Sequence, residues 1–205
     1  SGFMHALAMA DNAVRTGMAK HPLVIGAEAL TTIVNWEDRG TCILFGDGAG
    51  AVVLGAAEAD AERGLNPIFM HSNGSLAEEL CIPAGGSRTP LTPELLAAKQ
   101  NKIHMAGNTI FKHASRNLAA VGIEALEAAG WTADDVDHVI AHQANLRILD
   151  QVLKRCGMPR EKLFVNLDRY GNTSAASLPI ALDEANRQGL FKPGDKVLFL
   201  ALGGG

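Results

Sequence analysis

Apolar positions recur along the chain with two periods. From Ser1 to Lys20, the residues Phe3, Leu7, Ala10 and Val14 fall three and four apart, which predicts one buried face of a helix. Ile110, Ala114, Leu118, Val121 and Leu126 do the same between Gly107 and Ala129, and Gly130 is placed to end that helix. Short apolar runs at Pro22 to Ala27, Thr41 to Phe45, Ala51 to Leu54 and Leu65 to His71 predict strands. The second and third would be joined in a β-meander by a tight turn, Gly46-Asp47-Gly48-Ala49-Gly50. A phosphate-cradling loop would need a helix after those glycines, and a strand pattern follows instead. Ser72 to Lys102, rich in Gly, Pro, Ser and Thr, reads as a long surface loop with a short helix near Glu94.

The last third alternates: Val136 to Ala141 as strand, Ala144 to Cys156 as helix, Lys162 to Asn166 as strand, Ser174 to Gln188 as helix, Lys196 to Leu202 as strand. Such an order implies an α/β fold with right-handed crossovers and a sheet covered on both faces. Composition adds exclusions. The chain of 205 residues is 47% hydrophobic and 20% charged, enough for a sizeable core, and no apolar run approaches a membrane span. Ser1-Gly2-Phe3-Met4-His5 carries no secretory-leader pattern, so a cytoplasmic protein is expected. Cys42, Cys81 and Cys156 lack disulfide or metal-ligand spacing. A formal net charge of −4, without basic blocks or repeats, argues against a general nucleic-acid binder.

Two strand ends carry the chemistry. Val139-Ile140-Ala141-His142-Gln143-Ala144-Asn145-Leu146-Arg147 delivers a histidine where a helix starts, and Tyr170-Gly171-Asn172-Thr173-Ser174-Ala175-Ala176-Ser177 delivers an asparagine in the same way. An imidazole N–H and a carboxamide NH₂ can both donate to one oxygen, as a developing enolate or oxyanion requires. Taken alone, His142 reads as a histidine satisfied by local backbone; the pairing favours a site.

Those two strings, together with Asp38-Arg39-Gly40-Thr41, Phe45-Gly46-Asp47-Gly48-Ala49-Gly50-Ala51 and Met105-Ala106-Gly107-Asn108, resemble β-ketoacyl-acyl-carrier-protein synthase III, of the thiolase superfamily. The resemblance implies a layered α-β-α-β-α fold. Residues 1–75 would be the remainder of an N-terminal half-domain, 76–104 a connecting loop region and 105–205 a C-terminal half-domain. In the family, the nucleophilic cysteine immediately precedes the Ser-Gly-Phe string, and a last strand follows the glycines Gly203, Gly204 and Gly205, one N–H of which helps form an oxyanion hole. The resemblance thus implies a fragment without the thiol, inactive alone; none of the three cysteines present sits in a comparable element.

The implied reaction moves an acyl group from coenzyme A to that cysteine, then condenses it with malonyl-acyl carrier protein after loss of CO₂, with His142 and Asn172 donating to the enolate oxygen. No metal or redox cofactor is implied; a coenzyme A thioester is the substrate, acyl carrier protein the partner, and a homodimer the assembly. Arg39 resembles an arginine that stacks on adenine, and otherwise reads as a solvated loop residue. Asn108 and Phe111 match a pantetheine tunnel, and Leu30, Phe45 and Met105 an acyl pocket, although the apolar ones would be core in any case. Arg147, Lys154 and Arg155 share a helix face and with Lys112 match a carrier-docking surface, or else form an ordinary solvated face. The rivals are other thiolase-fold condensing enzymes, including 3-hydroxy-3-methylglutaryl-CoA synthase, type III polyketide synthases and synthase III relatives of secondary metabolism. From another class, the rival is a non-catalytic remnant that acts only as a binding partner.

Overall fold

The computed structural model describes residues 1–58 and 63–204. Helix α1 (Gly2–Arg15) buries Phe3, Leu7, Ala8 and Ala10, the stripe set by the three-and-four spacing. Strands β1 (Leu23–Ala29) and β2 (Asp47–Val53) pair antiparallel, from Leu23 opposite Val53 to Ala29 opposite Asp47. Between them lies the short helix α2 (Arg39–Cys42). A two-residue ribbon, β3 (Leu80–Cys81) with β4 (His104–Met105), encloses α3 (Pro93–Ala97) and leads into α4 (Gly107–Ala129). Helix α4 stops at Gly130, in the left-handed conformation at φ 67° that glycine adopts without a Cβ clash. Then follow β5 (His138–Ala141), α5 (Leu146–Cys156), α6 (Leu167–Tyr170), α7 (Ser177–Arg187) and β6 (Val197–Leu200).

Strands β5 and β6 pair in parallel, with Leu163 bridging to Val139 on the other side of β5. Side chains alternate across this sheet as the pleat dictates. Val139, Ala141, Leu198 and Leu200 join Leu118, Leu149, Val152 and Leu153 in a core with α4 and α5. Ile140, Val197 and Phe199 face the other way, into a second core with Phe3 and Leu7 of α1 and Leu178 and Ala181 of α7. Helix α7 then packs on β1 and β2. The order through the molecule is therefore α4/α5, β5/β6, α1/α7, β1/β2: four of the layers a thiolase-like fold implies. The outer face of β1/β2 is exposed and apolar, with Leu23, Ile25 and Val53 at 59%, 57% and 63% exposure.

Several predicted strands take another form. Thr41 to Phe45 is not a strand, because Asp38 caps a helical turn there: its carboxylate accepts from the Gly40 N–H at 2.9 Å and the Thr41 hydroxyl at 2.7 Å. Of the glycines expected to form a tight turn, Gly48 and Gly50 lie instead in the body of β2, with Gly46 just before it. A β-carbon on Gly26 would lie 2.3 Å from the Ala175 carbonyl oxygen, and one on Gly50 would lie 2.9 Å from Pro179 Cβ. The sheet therefore needs bare backbone where α7 and the turn before it press on it. Leu65 to His71 has no partner strand among the described residues and is irregular. Lys162 to Asn166 shrinks to the Leu163 bridge, preceded by a 3₁₀ turn at Arg160–Lys162. The helix predicted from Ser174 opens with a 3₁₀ turn, Ser174–Ala176, before α7.

This close approach yields a stability prediction. Gly26→Ala drives a methyl group into a backbone carbonyl and should destabilise the fold by about 1–3 kcal/mol. Gly74→Ala, with nothing within 4 Å of the added carbon, should change stability by less than about 0.5 kcal/mol. Thermal unfolding of the two variants checks the contrast, and equal effects would contradict the packing described.

Candidate active site

Strand β5 carries His142 to the carboxyl end of the sheet. The His142 N–H continues the ladder by donating to the Leu200 carbonyl at 2.7 Å. The chain then turns, with the Ala144 N–H donating to the His142 carbonyl at 2.8 Å, and enters α5 at Asn145, whose side chain accepts from the Arg147 N–H at 2.9 Å. The imidazole is only 6% exposed. Asn172 is fixed by a parallel bridge to Phe45: its N–H donates to Leu44 at 2.7 Å, and its carbonyl accepts from Gly46 at 3.0 Å. A β-carbon on Gly46 would lie 2.1 Å from the Tyr170 carbonyl oxygen, so only glycine permits this strap. Asn172 Oδ1 accepts the Ser174 N–H at 2.9 Å. With the oxygen so engaged, the carboxamide keeps its NH₂ as a donor.

A buried polar network holds the two ends in register. Ser177 Oγ lies 2.6 Å from His142 Nδ1, donates to the Ser174 carbonyl at 2.8 Å and accepts from the Gln143 N–H at 3.3 Å. The Gln143 side chain donates to the Ala141 and Phe164 carbonyls at 2.9 and 3.3 Å and accepts from the Asn166 N–H at 3.2 Å. Asn166 Nδ2 reaches the carboxylate of Glu184 on α7 at 2.8 Å, and Arg169 pairs with the same carboxylate. Sequence reasoning passed over Ser177, Gln143, Asn166 and Glu184. Ser177 lies within the Gly-Asn-Thr-Ser-Ala-Ala-Ser string, but a serine at a helix entry reads as a cap. Gln143 gave a fainter signal, a long polar side chain directly after a buried β-branched strand.

The third side is the start of α1. The Ser1 amine donates to the Leu202 carbonyl at 3.3 Å, and a β-carbon on Gly203 would lie 2.8 Å from Ser1 Oγ. Gly2 approaches Ala175, beside the Asn172 turn. Burial above all lowers the His142 pKa to about 3, against a smaller opposing effect of the Ser174 carbonyl. The imidazole is therefore neutral.

The remaining predicted residues distribute around this centre. Phe45 touches it through the bridge to Asn172, and Met105 pairs in register with Leu80, whose carbonyl faces Gly204. Leu30 is buried just after β1. Arg39 is exposed on α2, which packs against β4, while Asn108 is exposed in the first turn of α4 and Phe111 packs on the core one turn later. Lys112, Arg147, Lys154 and Arg155 are exposed on the paired helices α4 and α5. Gly205 lies outside the described residues. Cys42 is half-buried on α2, Cys81 donates to the Glu78 carbonyl at 3.7 Å, and burial raises the pKa of the Cys156 thiol. A cavity of about 790 Å³ starts at Ser1, Gly203 and Gly204 and runs between α4 and β6; His142, Asn172, Asn108 and Phe111 do not line it.

Layered sheets that bring a histidine from the end of β5 and an asparagine from the turn after α6 to the first turn of a buried helix define a thiolase-like fold. The family model described as 3-oxoacyl-[acyl-carrier-protein (ACP)] synthase III matches residues 1–74, and its C-terminal counterpart matches residues 126–205. The chain belongs to the 3-oxoacyl-[acyl-carrier-protein] synthase III family. It is 50% identical over 206 aligned residues to the β-ketoacyl-[acyl-carrier-protein] synthase III of Erythrobacter litoralis, covering 100% of this chain and 62% of the relative. The crystal structure of the Thermus thermophilus synthase III superposes with a TM-score of 0.87 at 40% identity, over 99% of this chain and 61% of that one. The Aquifex aeolicus synthase III gives 0.83 at 44% identity, over 99% and 60%. The chain thus spans about three fifths of the length of these relatives.

The buried neutral imidazole makes stability depend on pH. His142 titrates near 6.5 when unfolded and near 3 when folded. Unfolding therefore takes up a proton in that window, and the contribution present above about pH 6.5 is lost as pH falls towards 3. Asp38, Asp47 and Asp195, whose pKa values hydrogen bonds lower from 3.8, lose their contribution only at more acid pH. Urea denaturation of the parent at pH 7 and pH 5 should show a drop that His142→Gln reduces. An identical drop in both proteins would contradict a buried neutral His142.

Proposed function

We propose that the chain is the larger part of a condensing enzyme of fatty-acid biosynthesis, which joins an acyl group from acyl-CoA, of the acetyl class, to malonyl-acyl carrier protein with loss of CO₂. The observation that carries this reading is the convergence of His142, the donor NH₂ of Asn172, the first turn of α1 and the glycines after β6. A helix N-terminus favours a thiolate, and the residue before Ser1 is where the family carries its cysteine. In the first stage that sulfur attacks the acyl-CoA carbonyl and coenzyme A departs. In the second, the malonyl thioester loses CO₂, Asn172 Nδ2 donates to the oxygen that becomes an enolate, and the carbanion attacks the acyl thioester. The neutral His142 ring donates to the same oxygen as the second polar group at this step. The chemistry needs no metal or redox cofactor.

Arg39 would meet the adenine of coenzyme A, Asn108 and Phe111 the pantetheine arm, and Leu30, Phe45 and Met105 the acyl group; the backbone of Gly203 to Gly205 would serve the oxyanion. The contact of α2 with β4, which runs directly into α4 along the chain, supports this path. By the same family resemblance, the working form is a cytoplasmic homodimer.

In the intact protein, Asn172→Ala and His142→Ala should abolish decarboxylation and condensation while leaving acylation of the cysteine substantially intact. Removing an oxyanion donor costs about 2.7–4 kcal/mol, or roughly 10²–10³ in kcat. Following the two half-reactions separately checks this, and equal losses in both would place these residues at nucleophile activation instead.

An acidic carrier protein meeting a chain of net charge −4 calls for a local basic face. Arg147, Lys154, Arg155 and Lys112 provide one; among the described residues none of them enters an ion pair. Arg147→Glu combined with Lys154→Glu should slow reaction with malonyl-carrier protein, most at low ionic strength, and change acylation by a small acyl-CoA far less. Equal losses with both substrates, or none with the carrier protein at low salt, would exclude this face.

A further inference from the structure

Alternation along β1 turns Val24, Gly26 and Glu28 towards α7 and the turn before it, while Leu23, Ile25, Ala27 and Ala29 face outward. Gly26 and Glu28 then hold one residue of that turn between them. The Ala175 carbonyl lies over Gly26, where an added β-carbon would come within 2.3 Å of its oxygen, and the half-buried Glu28 carboxylate accepts the Ala175 N–H at 3.1 Å, across 147 positions of sequence. Among the described residues Glu28 enters no ion pair. The turn itself is strained: Ser174 has φ 46°, a left-handed value that costs free energy in a residue with a β-carbon. Thr173 before it is at φ −93° and ψ 26°. A positive φ after such a residue brings successive N–H groups to one side of the chain, where oxygen acceptors satisfy them. Here the Ser174 N–H goes to Asn172 Oδ1 at 2.9 Å and the next one, of Ala175, to Glu28. At a negative φ the two N–H groups would diverge and would not reach both acceptors.

We infer that Glu28 is a positioning residue: by accepting the Ala175 N–H it holds Ser174 at positive φ, and so keeps the Ser174 N–H on the oxygen of Asn172 and the Asn172 NH₂ set for donation. The bond offsets the cost of the left-handed backbone, and without it Ser174 relaxes and the Asn172 carboxamide is free to turn. Glu28 does not touch the reacting atoms; it acts from the β1/β2 sheet through one peptide group. An acceptor is what the position requires, since an apolar side chain there would leave a half-buried N–H without a partner. The hydrogen bond follows from geometry alone, while its effect on rate rests on the condensing-enzyme reading above.

The test uses the intact protein. The Ala175 amide should be protected from hydrogen exchange in the parent and in Glu28→Gln, whose carboxamide oxygen still accepts, and should exchange roughly tenfold or more faster in Glu28→Met, which keeps the length without the acceptor. In parallel, Glu28→Met should lower kcat for condensation by roughly tenfold or more, with KM for malonyl-carrier protein and the rate of cysteine acylation little changed, and Glu28→Gln should recover most of that loss. The deciding arm adds Ser174→Gly. Glycine adopts a positive φ without help, so Glu28→Met made on top of Ser174→Gly should cost less than about threefold relative to Ser174→Gly alone. An Ala175 amide that exchanges freely in the folded parent, or equal losses from Glu28→Met with and without Ser174→Gly, overturns the inference. Far-UV circular dichroism verifies that each variant is folded, and if Glu28→Met is not, exchange at Ala175 in the parent and in Glu28→Gln decides. A parent that performs no condensation would defeat the functional reading while leaving the exchange result to decide the hydrogen bond.

Discussion

The structure depends on how closely the segment from Ser174 to Ile180 can approach two sheets at once. On one side Gly26, Gly48 and Gly50 leave the β1/β2 backbone bare beneath Ala175, Pro179 and Ile180. On the other, Leu178 and Ala181 pack under Ile140 and Phe199 of the β5/β6 sheet. A side chain at Gly26 or Gly50 would meet backbone there, lift the segment and carry Asn172, Ser174 and Ser177 with it. Because interiors are packed to crystal-like density, such a displacement would not be absorbed locally. Precision at the site is thus set by missing β-carbons some distance from the chemistry.

Within that frame, the site assigns its donors and acceptors through backbone. Asn172 is turned by one backbone N–H and the Ser177 hydroxyl by one backbone carbonyl, partners that cannot rotate away. Groups fixed in this way need no reorganisation when charge develops, the condition under which a few hydrogen bonds contribute strongly to rate. The Gln143, Asn166 and Glu184 network does for the loops what the glycines do for the helix, tying the end of β5 to the segment before Asn172 and to α7. It also satisfies polar groups that would be costly to bury alone.

The electrostatic character of the molecule changes with depth. The core of the site is neutral, with the imidazole uncharged, whereas the exposed faces of α4 and α5 carry Lys112, Arg147, Lys154 and Arg155 on a chain of net charge −4. Surface charges of this kind act on encounter and salt sensitivity, while buried neutral groups act on the reacting atoms. Helix α5 links the two, since its entry follows His142 directly and its outer face bears three of the cations.

The sequence by itself determined the longer helices and the strand end at His142. The apolar stripes of α1 and α4, the stop at Gly130 and the delivery of His142 all follow from spacing and turn chemistry over a few residues, whereas Asn172 is reached from the helical turn α6 and not from a strand end. Local signals failed where distant partners decide. Thr41 to Phe45 has the composition of a strand, but Asp38 caps it into a helix and only Phe45 pairs, with a residue far along the chain. The Gly46 to Gly50 run looks like a turn until α7 is laid over it, and Leu65 to His71 has the apolar pattern of a strand without a neighbour among the described residues. The buried contact between Ser177 and His142 was equally out of reach. Nothing in the order of residues says that a hydroxyl thirty-five positions away lies 2.6 Å from the ring. Periodicity reports which face of an element is buried, whereas hydrogen-bond direction and backbone clearance are properties of what the fold brings against it.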